Sequence, residues 1–394
     1  MTGIILTQYN GKIIGPIAKL LGYLMNAIFE FLNMIKIPNI GLSIIIFTIV
    51  IYLLLMPLTI KQQKFSKLSA KMNPELQAIQ KRYKDKKDND SMMAMNAETK
   101  AVYAKYGVSP SGSCLQLLIQ MPILFALYRV IYNMPAYVTR IRDAFGVIAD
   151  SIIASGKVSE IQNLKVAAAY ARNFAIDERN AVIDVLYVMN NKDLAAYATG
   201  HEDVLEQISH FNNFLGINIA NSPSFMISDA WNAEGGPQIL LIIAALLIPL
   251  LSAFTQWLNV KLMPQQAQQD DKNVSDQQAS MQQSMKMMNN VMPLMSVVFC
   301  FTLPSGMGLY WIVGAVVRSI QQVLINKHID KMDIDEVIKK NEEKQKKKLI
   351  KAGIDPNTVN KNATMNTRNV AAPSNIHGFQ GKCQYQSFIP GRKG

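Results

Sequence analysis

Long uncharged apolar stretches constrain this sequence most, because about 20 apolar residues are enough for a helix to cross a lipid bilayer. The clearest stretch, residues 39–60 (NIGLSIIIFTIVIYLLLMPLTI), contains no charged side chain. Similar stretches occupy residues 113–132, 239–258, 287–303 and 307–325. The turn formers Pro304-Ser305-Gly306 separate the last two stretches. The sequence therefore predicts an all-α membrane protein with five transmembrane helices.

Charge predicts how these helices are oriented. Residues 61–106 carry eleven basic and five acidic side chains, and residues 327–394 carry fourteen and seven. Residues 135–236 carry seven basic and twelve acidic side chains. Because Lys and Arg are enriched in cytoplasmic segments, the first two segments are predicted to be cytoplasmic and the third to lie outside. Five spans meet this condition with the N-terminus outside and the C-terminus in the cytoplasm of a bacterial cell.

The predicted segments follow one another without overlap. They are an N-terminal amphipathic interfacial helix (1–38), transmembrane helix 1 (39–60), a cytoplasmic helical hairpin (61–112), transmembrane helix 2 (113–134), an extracytoplasmic helical loop (135–236), transmembrane helix 3 (237–260), a cytoplasmic linker (261–286), transmembrane helices 4 and 5 (287–325) and a basic cytoplasmic tail (326–394).

The N-terminal helix is predicted from a narrow polar stripe. Lys12, Lys19, Asn26 and Asn33 recur every seven residues, and apolar side chains cover the rest. Such a helix is suited to lie in the membrane–water interface on the outer side of the bilayer. A sixth transmembrane span is the alternative. We expect no cleaved signal peptide, because a basic start and a small-residue cleavage site are missing.

Two of the predicted cytoplasmic segments each have two possible interpretations. In the hairpin, Asn73-Pro74-Glu75 is typical of a helix start, and the hairpin is either a solvated connector or a mobile arm near lipid headgroups. The tail, predicted to be disordered, carries a basic cluster that can bind anionic lipid or the phosphate backbone of ribosomal RNA. This cluster consists of Lys344, Lys346, Lys347, Lys348 and Lys351.

Few residue patterns suggest catalysis. The three cysteines are far apart and the four histidines form no ligand pair, so we expect no metal, no cofactor and no enzyme. An intramembrane protease would need a nucleophile and a base, and the spans contain no histidine. A secondary transporter or channel is the remaining alternative, but no inverted repeat is visible and the spans contain no acidic coupling residue.

Several polar side chains lie within the apolar stretches. Gln116 and Gln120 share one face of the second span, and Thr255 and Gln256 lie near the cytoplasmic end of the third. Polar groups in hydrocarbon usually face a wet cavity or the protein interior, so these residues predict a polar groove. Hydrogen bonding between helices as packing is the alternative interpretation.

Short motifs in this order resemble the YidC family of membrane protein insertases, in a short form without a large N-terminal outer domain. The resemblance covers about residues 12–135 and 237–350, and the motifs are MPLTIKQQ (56–63), Pro74-Glu75, YGVSP (106–110), CLQLLIQMPI (114–123), LPSG (303–306) and LYW (309–311). It implies five helices around a groove open to the cytoplasm and to lipid. It also implies that nascent membrane proteins are received there and released sideways, with the ribosome, the Sec translocon and membrane lipids as partners.

The sequence departs from the family in the first span. Members usually carry an arginine in its middle, where this chain has Tyr52. A cation occurs instead at Arg318 in the fifth span, and both residues are predicted to lie about 15 Å deep at 1.5 Å per residue. We therefore predict that Arg318 supplies the positive charge of the groove beside Tyr52. The alternative is that Arg318 extends toward the cytoplasmic surface.

Overall fold

The computed structural model describes residues 8–9, 11–83, 86, 88–108, 112–189, 191–233, 236–262, 291 and 294–351. Its N-terminal helices are α1 (Ile14–Met34), α2 (Ile40–Leu54), α3 (Met56–Tyr83), α4 (Asn89–Tyr106) and α5 (Gly112–Tyr132). The segment that follows contains α6 (Met134–Tyr137), α7 (Thr139–Ala154), α8 (Val158–Gln162), the 3-10 helix η1 (Lys165–Tyr170), α9 (Ala171–Phe174), α10 (Glu178–Val188), α11 (Asn191–Tyr197), α12 (Glu202–Asn212), β1 (Asn213–Phe214), β2 (Ile217–Asn218) and α13 (Pro223–Trp231). The last helices are α14 (Ile239–Leu262), α15 (residues 294–302), α16 (Ser305–Asp330) and α17 (Ile334–Lys351).

Among the described residues, α14 and α16 are each long and apolar enough to cross a membrane, and α2 with α3 gives a third span if the bent pair is counted as one. The path of the chain bends by 56° between these two helices. Pro57 explains the bend, because proline has no N–H to donate to the carbonyl of Leu53. The predicted first span, residues 39–60, is therefore divided between two helices. At this level the structure agrees with an all-α membrane protein.

Small residues let α16 approach its neighbours closely. A Cβ atom on Gly308 would lie 2.4 Å from Cγ2 of Ile248 on α14. One on Gly314 would lie 3.1 Å from the ring of Tyr52 on α2. Close backbone approach of this kind is the usual role of small residues between membrane helices. It places α2, α14 and α16 side by side.

The described residues between 135 and 236 form a folded helical unit, which we call the outer segment after its predicted location. Its apolar core is fully buried and includes Phe145, Ile148, Val182, Leu186 and Phe211. This core includes side chains of α7, α10 and α12. After α12 the chain forms the β1–β2 hairpin, whose turn, Leu215-Gly216, has positive φ angles of 53° and 81°.

Hydrogen bonds attach the outer segment to the ends of α2 and α16. Asn39 accepts from the backbone N–H of Leu42 and thereby caps α2, while its Nδ2 donates to the carbonyl of Asn213 at 2.7 Å. At the start of α16, the backbone N–H and the hydroxyl of Ser305 both donate to the carbonyl of Asn221, at 2.8 and 2.7 Å. The outer segment thus holds the two helix ends in fixed positions.

The polar stripe of α1 also contacts the outer segment. Asn26 Oδ1 accepts from the backbone N–H of Thr139 at 2.9 Å, and Glu30 pairs with Arg140 at 2.7 Å. Lys19, on the same stripe, is exposed. The stripe predicted from the sequence therefore serves partly as a docking surface for α7.

Two local predictions were wrong. Asn73-Pro74 does not begin a helix, since α3 runs through it. Pro74 is exposed, so the carbonyl that loses its partner can bond water. The tail is not disordered throughout, because residues 334–351 form α17, which packs against the hairpin through Ile338. Residues 263–286 of the predicted linker, 287–290 of the predicted fourth span and 352–394 of the predicted tail lie outside the described residues.

A buried carboxyl makes the stability of the outer segment depend on pH. Asp184 on α10 is 2% exposed, and burial raises its pKa from 3.8 to about 7, against a weak opposing hydrogen bond from Asn173. The folded state therefore holds a proton that the unfolded state loses above pH 3.8. The resulting destabilisation is absent below that value, grows as the pH rises and is complete above about 7.

We expect Asp184→Asn, which keeps the shape but cannot ionise, to remove this dependence. Hydrogen exchange of α10 amides, corrected for intrinsic rates, should show protection that falls between pH 5 and pH 8 in the wild type and stays level in the variant. The exposed Asp143 provides a control, since Asp143→Asn should behave as wild type. Equal pH dependence in both variants would contradict the assignment.

Candidate functional site: a polar cluster between three helices

Polar side chains from α2, α14 and α16 converge at Arg318. Its Nη1 donates a hydrogen bond to the hydroxyl of Tyr52, and its Nη2 donates to Oε1 of Gln256 at 3.3 Å. The guanidinium carbon lies 5.4 Å from the centre of the Tyr52 ring, within cation–π range. Tyr52 and Gln256 are buried at 6% and 8% exposure, and Arg318 is half-buried.

The cluster leaves donors of Arg318 open. A guanidinium has five N–H groups, and two of them meet protein acceptors in the described part of the chain. No salt bridge to Arg318 occurs among the described residues. Three N–H groups thus have no acceptor among the described residues and can bind water or an incoming polar group, because an unsatisfied donor in an apolar region is costly.

Gln321 supports the cluster and was missed by the sequence analysis. Its Nε2 donates to the backbone carbonyl of Tyr52 at 2.9 Å. That carbonyl needs a partner because α2 ends at Leu54, and the last carbonyls of a helix have none within it. Gln321 lies one helical turn after Arg318 on α16. This spacing could have identified it from the sequence as a neighbour of the cluster.

Thr255 and Gln120 do not join the cluster in the described part of the chain. Thr255 is buried, but its hydroxyl donates to the carbonyl of Leu251 in its own helix at 2.8 Å. Gln120 is half-exposed on α5, and no described hydrogen bond links it to Arg318. The side chain of Gln116 lies outside the described residues. The structure therefore brings together three of the six predicted groove residues, namely Arg318, Tyr52 and Gln256.

A ladder of polar pairs continues from the cluster toward the hairpin. Gln63 on α3 and Gln322 on α16 are buried and exchange hydrogen bonds, one of them at 3.0 Å. Lys67 then pairs with Asp330. Lys71 pairs with Asp335 at 2.6 Å. These three pairs, which we call the α3 ladder, join the hairpin to α16 and to the start of α17.

The hairpin and α17 form one packed unit at the end of the ladder. Met72, Tyr106, Val108 and Ile338 make its apolar centre, and Asn341 Nδ2 donates to the carbonyl of Tyr106 at 2.9 Å. Glu75 accepts from Lys105 and Tyr106, both at 2.7 Å. Partial burial of Glu75 raises its pKa, but the two hydrogen bonds and the charge of Lys105 outweigh it, so the net shift is downward.

The predicted basic cluster lies on α17. All five of its lysines are exposed. Four of them line a groove of 590 Å³ beside the end of α4: Lys344, Lys347, Lys348 and Lys351. Gly107 takes a left-handed conformation there with φ of 66°, and a Cβ atom on it would lie 2.6 Å from Asn341. The groove can receive an anionic group of some size.

Comparison with known proteins places these features in a family. The model of the 60Kd inner membrane protein family matches residues 31–332. A membrane protein insertase YidC of Fusobacterium nucleatum is 26% identical over 313 residues, covering 78% of this chain and 98% of that protein.

Two further relatives match over shorter regions. YidC of Oceanobacillus iheyensis is 45% identical over 95 residues, or 24% of this chain and 37% of that protein. The insertase MisCA of Bacillus subtilis is 43% identical over 98 residues, or 25% and 37%. The chain thus aligns with little more than a third of the length of these two proteins.

The resemblance stated from the motifs is confirmed by these matches. The relatives are bacterial, and together with the apolar helices they indicate a bacterial membrane protein. Their names also support the prediction that the chain is an insertase and not a catalytic enzyme. The family model covers more than half of the chain, and the chain belongs to the 60Kd inner membrane protein family of YidC-type proteins.

Proposed function

We propose that this protein inserts nascent membrane proteins through a polar groove centred on Arg318, without a cofactor or a covalent step. The observation that carries the proposal is the cluster of Arg318, Tyr52 and Gln256 between three helices. Its open N–H groups can bind the polar flank of an incoming helix. The family assignment supports the insertase function.

The groove would act by lowering a desolvation cost. Moving a charged side chain to the bilayer centre costs about 2.5–3.5 kcal/mol on insertion scales. Water and hydrogen-bonding groups around Arg318 would reduce that cost for short polar or acidic segments. Because Arg318 is itself held by Tyr52 and Gln256, the groove is organised before the substrate arrives.

The apolar part of the substrate would then leave sideways into lipid. On α14 the face away from the cluster is apolar and exposed, with Leu247, Leu250 and Phe254 at 47%, 60% and 57% exposure. A hydrophobic segment can slide along such a surface and bury its own apolar area in the bilayer. This step needs no energy source beyond that burial.

The proposed topology has five transmembrane helices, with the outer segment outside the membrane and the hairpin inside. The attachments of the outer segment to Asn39 and Ser305 support this topology, because they would close the groove on the outer side. The α3 ladder, which joins the hairpin and α17 to the other end of α16, supports it too. A groove closed outside and polar inside suits delivery from the cytoplasm.

The lysines of α17 would hold the ribosome or anionic lipid near the groove. These lysines all lie on α17, which packs against the hairpin through Ile338 and Asn341. A fixed group of cations binds phosphate more strongly than dispersed ones, and the attraction depends on salt. Cooperation with the Sec translocon is part of the same proposal.

The first prediction of the proposed function concerns Arg318. We expect Arg318→Ala to lower the rate of insertion of a substrate with an acidic flank about tenfold, equivalent to about 1.4 kcal/mol. Tyr52→Arg in the same chain should restore part of the rate, because the new guanidinium can reach the same space from α2. The measurement is insertion of a radiolabelled nascent chain into vesicles containing purified protein.

Arg129→Ala is the matched control. Arg129 lies exposed near the end of α5 over the ring of Tyr9, away from the cluster, so its loss should leave the rate unchanged. Normal insertion of every substrate by Arg318→Ala would overturn the role of Arg318. Ion flux through the same vesicles would support a channel instead.

The second prediction concerns Gln120, which is half-exposed on α5. Cysteine at this position, in a chain without Cys114, Cys300 and Cys383, should react with a membrane-impermeant thiol reagent from the cytoplasmic side. The physical reason is that a wet groove admits the reagent. Cysteine at Phe125, exposed on the same helix and predicted to face lipid, is the control. Complete protection at position 120 would show that Gln120 is a packing residue.

The third prediction concerns α17. The change replaces Lys344, Lys347, Lys348 and Lys351 with glutamine, which preserves the helix. It should reduce co-sedimentation with ribosomes about tenfold at low salt. The difference should shrink as salt is added, because screening weakens the wild-type interaction too. Glutamine at the exposed Lys157, Lys165 and Lys192 of the outer segment is the control. Unchanged binding would leave lipid as the partner of these lysines.

A further inference from the structure

A second cavity lies at the other end of the molecule. It has a volume of 520 Å³ and forms where the start of α2 meets α12 and the β1–β2 hairpin. Ile37, Leu42, Phe214 and Leu215 supply apolar walls, and Glu206 and His210 supply polar groups. The cavity therefore combines an apolar surface with a carboxylate, as an amphiphilic ligand requires.

The position of the cavity points to the membrane surface. Asn39 caps α2 beside it, and in the proposed topology this is the point where the first span leaves the bilayer. Leu215 at the tip of the hairpin is 83% exposed and Ile37 is 51% exposed. Leucine rarely adopts the left-handed conformation that Leu215 has, with φ of 53°. An exposed leucine in a strained turn is best placed in lipid rather than in water.

The charge around the cavity selects the headgroup. Glu206 and His210 lie one turn apart on α12 and are both exposed, and Glu206 forms no ion pair within the described part of the chain. The outer segment as a whole carries five more acidic than basic side chains. An anionic headgroup would be repelled here, whereas a primary ammonium can pair with the carboxylate.

We propose that this cavity binds a phospholipid with an amine headgroup, of the phosphatidylethanolamine class, from the outer leaflet. The ammonium pairs with Glu206, the phosphate lies near His210, and an acyl chain follows Ile37, Leu42 and Leu215. The bound lipid ties the β1–β2 hairpin, and with it the outer segment, to the membrane surface. The proposal rests on the topology of the proposed function but not on the groove.

The test uses the full chain in nanodiscs of phosphatidylcholine doped with a phosphatidylethanolamine or a phosphatidylglycerol that carries a photoreactive acyl chain. Mass spectrometry of the labelled peptides locates the lipid. We expect the ethanolamine probe to label the peptide containing residues 204–218 more than the glycerol probe. Glu206→Gln should reduce this preference about threefold, the size of a partly exposed ion pair. Glu160→Gln makes the same charge change at an exposed site on α8 and should have no effect.

A second variant keeps the test independent of Glu206. Ser209→Trp fills the cavity from its wall and should lower labelling by both probes at this peptide. Equal labelling by the two headgroups, or labelling unchanged in Ser209→Trp, would overturn the proposal. Insertion assays on the same samples separate the lipid site from the proposed insertase function. Normal insertion without selective labelling would contradict the lipid site alone. Loss of insertion in Arg318→Ala with selective labelling intact is the result that both proposals predict.

Discussion

A guanidinium inside an apolar helix sets the conditions for the rest of this structure. Arg318 cannot lose its charge in a protein and cannot lie in hydrocarbon without polar partners. Tyr52 and Gln256 provide two of those partners and a ring face, which requires three helices to meet at one depth. Gly308 and Gly314 make that meeting possible, because larger side chains would separate α16 from α14 and α2.

The two ends of the cluster differ in a way that would give the proposed groove a direction. Toward the outer segment, backbone carbonyls of Asn213 and Asn221 hold the starts of α2 and α16. Toward the hairpin, contact passes to paired side chains, from the buried Gln63–Gln322 pair to exposed ion pairs such as Lys71–Asp335. Exposed ion pairs contribute little and weaken with salt, whereas the attachment at Ser305 is a buried pair of hydrogen bonds, from its N–H and its hydroxyl, to the carbonyl of Asn221. In the proposed function, the hairpin end is therefore the end that would open.

Part of this arrangement could be predicted from the sequence. Counting 1.5 Å per residue from the outer ends put Tyr52 and Arg318 at the same depth, and the structure joins them. The start of α2 directly after Asn39 and the extent of α14 follow from the lengths of the apolar stretches. Gln256 could be predicted as a site residue because it is a polar side chain within an apolar stretch.

Other parts depend on contacts between distant segments, which one sequence does not reveal. Gln321 has a role only because α2 ends two residues after Tyr52 and leaves a carbonyl for it. The lysine-rich stretch looked disordered, since its helix is stabilised by packing of Ile338 and Asn341 on the hairpin and not by its own composition. Pro74 suggested a helix start, but an exposed proline can be accommodated within a long helix.

The most direct measurement is site-specific photo-crosslinking of a ribosome-bound, stalled membrane protein. A photoreactive amino acid at Gln256 should crosslink the nascent chain, whereas the same group at Val147, exposed on the outer segment, should not. Crosslinking at position 256 should weaken when Arg318 is replaced by alanine. No crosslink at 256, or equal crosslinking at 147, would contradict a substrate groove centred on Arg318.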